Sequence, residues 1–219
     1  MRFEECFAVW DKLTPAQQEA VRAGTVLRSV KKGELVHNGS EGCTGVVLVK
    51  TGRLRAYYAS EDGREITLYR LFERDLCTLT APCMMRSIRF DIVVRAEKDA
   101  EVWIIAPYVY RRLMEASAVA ANYTNEIMAT RLSEVMWLME QIMWKSLDKR
   151  VAAFLLEEAA IEETTVLKLT HEAVANHLGT QREVITRMLR YFQEEGTVRL
   201  TRGTVELLDA AKLEALRDA

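Results

Sequence analysis

LTHEAVANHLGTQREVITR, residues 169–187, carries two helix signatures separated by a glycine. Thr170 stands where an N-cap belongs, and Ala173, Val174 and Leu178 recur at helical spacing behind it. Gly179 then fits the positive backbone angle needed just past a helix end. The second helix is expected to open at Thr180, with Glu183 three residues on completing a capping box. Val184, Ile185, Met188, Leu189 and Phe192 supply its buried stripe. Gln181, Arg182, Glu183, Thr186, Arg187 and Arg190 are left for the opposite face. The spacing predicts a helix-turn-helix.

The residue types on that open face suggest a use. An arginine fork can donate two bonds to guanine O6 and N7, and a glutamate can accept from the cytosine amino group. Arg182, Glu183 and Arg187 lie in the N-terminal turns, the part of a recognition helix that reads bases. An amphipathic helical hairpin with a solvated charged face has the same pattern, and the residues beyond 192 discriminate between the two. Gly196 ends the second helix. Val198–Leu200, a turn at Thr201–Gly203 and Val205–Leu207 then read as a short β-hairpin. A helix-turn-helix with a hairpin after it is a winged helix, with Arg199 and Arg202 on the wing as phosphate contacts.

Upstream the grammar differs. Thr14-Pro15 and Gly24 bound one helix, and Phe3, Phe7 and Trp10 mark another. Short β-rich runs occur at Glu34–His37, Val46–Lys50, Leu54–Tyr58, Ile66–Leu71, Ile92–Ala96 and Val102–Ile105, with glycines at the corners and a hairpin turn at Glu61–Arg64. Such spacing predicts a β-roll or jelly roll. From about 107 to 145 the chain reads as one helix with no Gly or Pro inside it. Met114, Ala118, Ala121, Asn125, Met128, Leu132, Val135, Met139 and Ile142 alternate steps of four and three along it. That is a heptad seam, which predicts a paired helix in a homodimer, with Asn125 setting register. Ile127, Met136 and Met143 are apolar off the seam and available to the roll. The seam loses phase near Ser146, where Ser146 or Asp148 can cap a new helix. The fold class is therefore α+β in two domains: 1–145, a β-roll with a long dimerisation helix, and 146–219, a winged helix.

Composition narrows the setting. The 219 residues carry 30 Lys and Arg against 32 Asp and Glu, so an anion-binding surface has to be local. No apolar run spans a bilayer and the N-terminus does not resemble a signal peptide, so no membrane role and a cytoplasmic location are expected. Cys6, Cys43, Cys77 and Cys83 form no C-x-x-C, and His37, His171 and His177 do not join them at zinc spacing, so no metal site and no catalytic site are expected. In a reducing compartment the cysteines are expected as free thiols. Cys77 and Cys83 flank Pro82, and read either as a redox pair or as two small buried residues.

Together these segments resemble the Crp/Fnr family of bacterial transcription regulators. VKKGELVHNGSEGCTGVVLVKTGRLRAYYASEDGREI resembles the glycine-marked roll of cyclic-nucleotide-binding domains, LTHEAVANHLGTQREVITRMLRYFQEEGTVRL the family's DNA-binding signature, and VELLDAAKLEAL its ending. The resemblance implies that Arg182, Glu183, Thr186 and Arg187 read bases, and that Thr170, His171 and Gln181 touch phosphate; Arg190 adds a further phosphate contact. It implies a homodimer on palindromic double-stranded DNA with TGA-containing half-sites, and RNA polymerase as a partner.

The sensor region departs from the cyclic-AMP binders. FERDLCTLTAPCMMRSIRFDIVVRAE has no Gly-Glu, and Phe90 and Asp91 fall on the phosphate-clamp positions. Val135 and Met136 fall where the base would be met, and both are apolar. A phosphate facing an aromatic ring and a carboxylate argues against cyclic AMP. One N-terminal cysteine argues against an iron–sulfur cluster, and the lack of a His near Cys77 argues against haem. The expected control is a small apolar effector in a pocket near Cys77, Cys83, Phe90, Val135 and Met136, or thiol redox state. The alternatives are a constitutive DNA-binding regulator with a vestigial sensor and, remotely, a metal-dependent cupin-type enzyme, for which His37 is the lone roll histidine.

Overall fold

The structure, a computed structural model, describes residues 1–39, 42–84 and 92–219. It divides into two compact units: Met1–Tyr58 with Leu68–Val135, and Ala59–Thr67 with Met136–Ala219.

The first unit is built on two antiparallel sheets, of which only Ala59 and residues 65–67, at the β4–β5 hairpin, belong to the second unit. β1 (Thr25–Val30), β8 (Ala100–Ile105), β3 (Val46–Thr51) and β6 (Leu76–Cys77) form one; β2 (Leu35–Asn38), β7 (Val93–Ala96), β4 (Leu54–Ala59) and β5 (Glu65–Leu71) form the other. β3 shows why this region reads as strand. Val46 and Leu48 enter a core shared with the N-terminal aromatics, while Val47 and Val49 enter a second core between the sheets. A strand buried on both faces needs a continuous apolar run, and VVLV is one. β1 is absent from the sequence expectation. It is an edge strand paired to β8, and three of its six residues are exposed and one buried, so it carries no burial alternation. β6 is too short to leave a pattern.

Two helical expectations are corrected. The segment at Phe3–Trp10 is a short helix α1 (Phe3–Cys6) and a 3-10 turn at Trp10–Lys12. Its aromatics still converge, Phe3 lying 5.5 Å from Phe7 and 5.6 Å from Trp10 by ring centroid. The helix expected over 107–145 is two, α3 (Pro107–Ala116) and α4 (Ala118–Trp144). Ser117 between them is extended, and its hydroxyl accepts from Ala120 N at 3.4 Å. A serine that caps a following helix competes with continuing the preceding one.

Thr14 caps α2 (Pro15–Ala23), accepting from Gln17 N while Gln17 reaches back to Thr14 N at 2.9 Å. Gly24, at the end of α2, has an ordinary negative φ. It is needed for a different reason: a Cβ there would lie 2.5 Å from a Val109 methyl. Ile127 packs on the N-terminal core as the sequence predicts, whereas Met136 and Met143 are exposed. On the seam, Met114 and Met128 pack against the two roll cores, and Leu132, Met139 and Ile142 stay exposed in the single chain.

In the second unit, α5 (Leu147–Glu162) starts at Ser146, whose side chain makes no cap bond to the backbone. A third core joins α5, α6 (His171–Leu178), α7 (Arg182–Glu194), the wing strands β10 (Val198–Thr201) and β11 (Thr204–Leu207), and α8 (Ala210–Asp218). β9 (Val166–Leu167), also absent from the sequence expectation, adds a third strand by pairing Leu167 with Val205. The sequence boundary at 145/146 coincides with the α4–α5 junction, while the units part at 135/136, inside α4.

Candidate nucleic-acid interface

Three buried side chains fix the pose of α7. Ile185, Leu189 and Phe192 are at most 1 % exposed and lock the helix against Val174, Ala175 and Leu178 of α6. The opposite face is thereby turned out: Gln181, Arg182, Glu183, Arg187 and Arg190 are all exposed. Thr170 caps α6 as predicted, accepting from Ala173 N at 3.1 Å. Gly179 takes φ 72°, and an added Cβ would lie 2.9 Å from the Ile66 side chain, so both conformation and space require glycine there. Arg150 of α5 donates to the Leu178 carbonyl at 2.6 Å and so satisfies an orphan acceptor at the end of α6.

The start of α7 corrects the expectation of a Thr180–Glu183 capping box. The helix begins one residue later, with Gln181 as N-cap and no side-chain cap bond. The Thr180 amide is already used, donating to Ala175 O at 3.0 Å in the turn. Glu183 thus keeps its carboxylate at the surface.

Thr186 and His171 are engaged with each other. The Thr186 hydroxyl donates to Arg182 O at 2.9 Å, and His171 Nδ1 lies 2.9 Å from the same hydroxyl oxygen. Because the hydroxyl has one proton, His171 must donate through Nδ1–H, which leaves Nε2 as the titrating nitrogen. Burial first, then the Arg182 and Arg190 charges, lower the His171 pKa below the usual imidazole value. His177 is half-buried: its ring centroid is 4.5 Å from that of Phe154, and Nδ1 is 3.0 Å from Thr67 Oγ1 within the same unit. On the wing, Arg199 is paired across the hairpin with Glu206 at 2.9 Å, and Arg202 is exposed at the turn. Among the described residues no three His, Cys, Asp or Glu side chains are placed to share a metal, and no helix is long and apolar enough to cross a membrane.

The residues assigned from the sequence to an effector pocket do not form one cluster. Cys77 is sealed between the sheets, 3.6 Å from Tyr69 Oη. Cys83 is exposed and bonded to Cys43, with Cα atoms 5.9 Å apart. Of the two readings of Cys77 and Cys83, burial holds for Cys77, whereas Cys83 is neither buried nor its partner, and the expectation of four free thiols is corrected. The Cys77 side chain points into the core, whereas Cys43, in the loop before β3, comes beside the short turn at Pro82–Met84. Val135 is half-buried and Met136 exposed. Phe90 lies outside the described residues, as does its neighbour Asp91. Sequence reading missed Cys43 because nothing local marks a partner 40 residues away. It also missed Arg131 of α4, whose guanidinium carbon lies 4.4 Å from the Tyr69 ring centre and which pairs with Glu134 at 2.8 Å. Thr78 donates to Met128 Sδ at 3.1 Å, one helical turn along α4 from Arg131.

Comparison with known proteins agrees with this architecture. Residues 27–117 match the cyclic nucleotide-binding domain family and residues 149–216 the Crp-like helix-turn-helix domain family. A crystal structure of a Crp/Fnr-family protein from Eubacterium rectale is 57 % identical, covers 99 % of this chain and 100 % of that one, and superposes with a TM-score of 0.96. The cyclic AMP receptor protein of Thermus thermophilus is 28 % identical over 77 % of each chain. The nitrogen fixation regulation protein FixK of Bradyrhizobium diazoefficiens is 26 % identical over 85 % of this chain and 80 % of its own. Roll, long helix and winged helix in this order, with full-length identity to a solved relative, carry the assignment beyond the fold alone: the chain belongs to the Crp/Fnr family of transcription regulators.

Proposed function

We propose that the chain works as a homodimer that reads a palindrome with TGA-containing half-sites, and that its control does not depend on a cyclic nucleotide. The observation that carries the reading is the outward face of α7, where Arg182, Glu183 and Arg187 stand exposed on a helix held by a fully buried stripe. Gln181, Thr170, His171, Arg190 and Arg202 surround that face with phosphate-directed donors. Arg199 joins them once DNA phosphate competes with Glu206. Thr186, expected among the base readers, serves instead by positioning: its hydroxyl ties Arg182 O to His171.

Pairing is supported by α4. Leu132, Met139 and Ile142 are 63, 47 and 44 % exposed on the seam, and a coiled partner would bury them. RNA polymerase is the further partner that a regulator of transcription implies. For the effector, one relative is named a cyclic AMP receptor protein, yet this sequence lacks the Gly-Glu and places Phe90 and Asp91 at the clamp. Towards the roll, α4 presents Met128 and Arg131, with Thr78 and Tyr69 opposite. Arg131 is already paired with Glu134 and the Thr78 hydroxyl with Met128, so a small effector or thiol chemistry suits this region better than a phosphodiester.

The test is a mobility-shift titration on a TGTGA-type palindrome against a scrambled duplex, with native mass spectrometry for dimer mass and retained ligand. Specific binding by a dimer supports the reading. Equal affinity for both duplexes, or a monomer on DNA, overturns it.

A further inference from the structure

We propose that the Cys43–Cys83 disulfide is a reversible redox switch of the roll, read out as a change in DNA affinity. The inference rests on the reading of the chain as a DNA-binding regulator. It starts from how the four cysteines are divided. Cys6 and Cys77 are free and buried, and burial raises both thiol pKa values, so neither is a ready nucleophile. The two that pair are the more accessible ones: Cys43 is half-buried and Cys83 exposed. Exposed disulfides are the ones open to exchange, whereas buried ones persist as structural staples.

The position of the bond gives it leverage. The loop before β3 and the segment after β6 are already tied at Thr80, which accepts from Thr44 N and Gly45 N at 3.1 and 3.3 Å and donates through its hydroxyl to Gly45 O at 2.6 Å. Beyond Thr80 the disulfide takes over and holds the turn at Pro82–Met84. That turn is not a loose end. Met84 is buried in the core that includes Val109, Tyr110 and Leu113 of α3, and Arg111 of α3 donates to the Cys83 carbonyl. Tyr110 in turn bonds Thr124 of α4, oxygen to oxygen at 2.9 Å. One covalent bond thus connects the β3 loop, through a single turn, to the base of the helix that carries the dimer seam. Breaking it leaves the Thr80 bonds, and hence the β3–β6 register, but frees Cys83 from the loop.

In the reductive direction, an external thiolate attacks Cys83 Sγ, forms a mixed disulfide and expels the Cys43 thiolate, which takes up a proton. A second external thiolate attacks the external sulfur of the mixed disulfide. Cys83 leaves as a thiolate and is protonated, and the two external thiols depart as a disulfide. Two electrons and two protons have passed to the protein. An external disulfide reverses the sequence.

The experiment uses the full chain. Alkylation and mass spectrometry count thiols before and after a small dithiol and after re-oxidation with a small disulfide, while Tm and Kd for the TGTGA-type palindrome are measured in each state. The expected result is cycling confined to Cys43 and Cys83, a Tm roughly 5–15 °C lower on reduction, and a Kd change of about fivefold or more. The variant with Cys43→Ser and Cys83→Ser should match the reduced protein in both buffers. A bond that resists the dithiol in the folded state overturns the proposal, as does cycling with unchanged Kd. If neither form prefers the palindrome, the DNA-site reading fails instead, and the switch is then judged on the thiol count and Tm alone.

Discussion

The winged helix and the roll each rest on buried apolar cores but present their chemistry in opposite ways. In the winged helix, the residues proposed to act on bases lie within one short run, Arg182 to Arg187, on one face of one helix. In the roll, Cys43, Tyr69, Thr78, Cys83, Met128 and Arg131 come from strands, loops and α4. A surface for reading a long regular polymer can be a single helix face. A site that responds to a small molecule or an electron pair has to be assembled from distant segments, because it must couple them.

The contrast is most exposed to failure at the level of the cores. Leu189→Ala empties a fully buried position in the third core and should cost about 2–5 kcal/mol of stability. If the two units have independent cores, chemical denaturation will show the loss in the winged-helix transition and leave that of the roll in place; Leu48→Ala, equally buried, should do the reverse. A uniform loss in both would join the cores. Next in size is the reading face. Arg182→Ala and Arg187→Ala should each weaken specific binding by about 1–3 kcal/mol, roughly 5- to 150-fold, while binding to a scrambled duplex changes far less. A parallel loss on both duplexes would reassign the residue to phosphate contact.

Smaller effects separate holding the helix from touching DNA. Thr170→Ala removes the α6 cap and should cost about 0.5–2 kcal/mol in stability, with Thr170→Asn restoring it; a binding defect that Asn does not rescue would show a direct contact. The smallest effect expected is on pH. The free-state His171 pKa lies below the ordinary imidazole value, through burial and then Arg182 and Arg190. A phosphate beside Nε2 favours the protonated ring, so binding takes up a proton and affinity rises as pH falls from neutrality towards that free-state pKa. The slope is bounded by one proton, about tenfold per pH unit. In His171→Gln the slope should vanish, and fluorescence anisotropy from about pH 5.5 to about 7.5, a window set by the usual His pKa of about 6.5, would reveal a persistent slope that belongs to another group.

Much of the second unit was legible because its signals are local. The Thr170 cap, the Gly179 turn, the buried stripe of α7 and the wing hairpin each depend on residues a few positions apart. The exception is instructive: Thr180 and Glu183 satisfy the spacing of a capping box, yet the turn claims the Thr180 amide and the helix starts later. In the roll, strands buried on one or both faces were legible, but the edge strand β1 and the two-residue β6 were not. A helix of unbroken composition hid the stop at Ser117.

Periodicity and capping act over one or two turns, so the class of most segments and the face of α7 that meets solvent were already written in the order of residues. The pairing of the cysteines was not. Spacing along the chain left Cys77 and Cys83 as a pair or as two buried residues, but alternation in a strand sends Cys77 into the core, and the sheet order brings the loop of Cys43 beside the turn of Cys83. Distances across a fold are set by how strands pair, and no spacing within the chain records that.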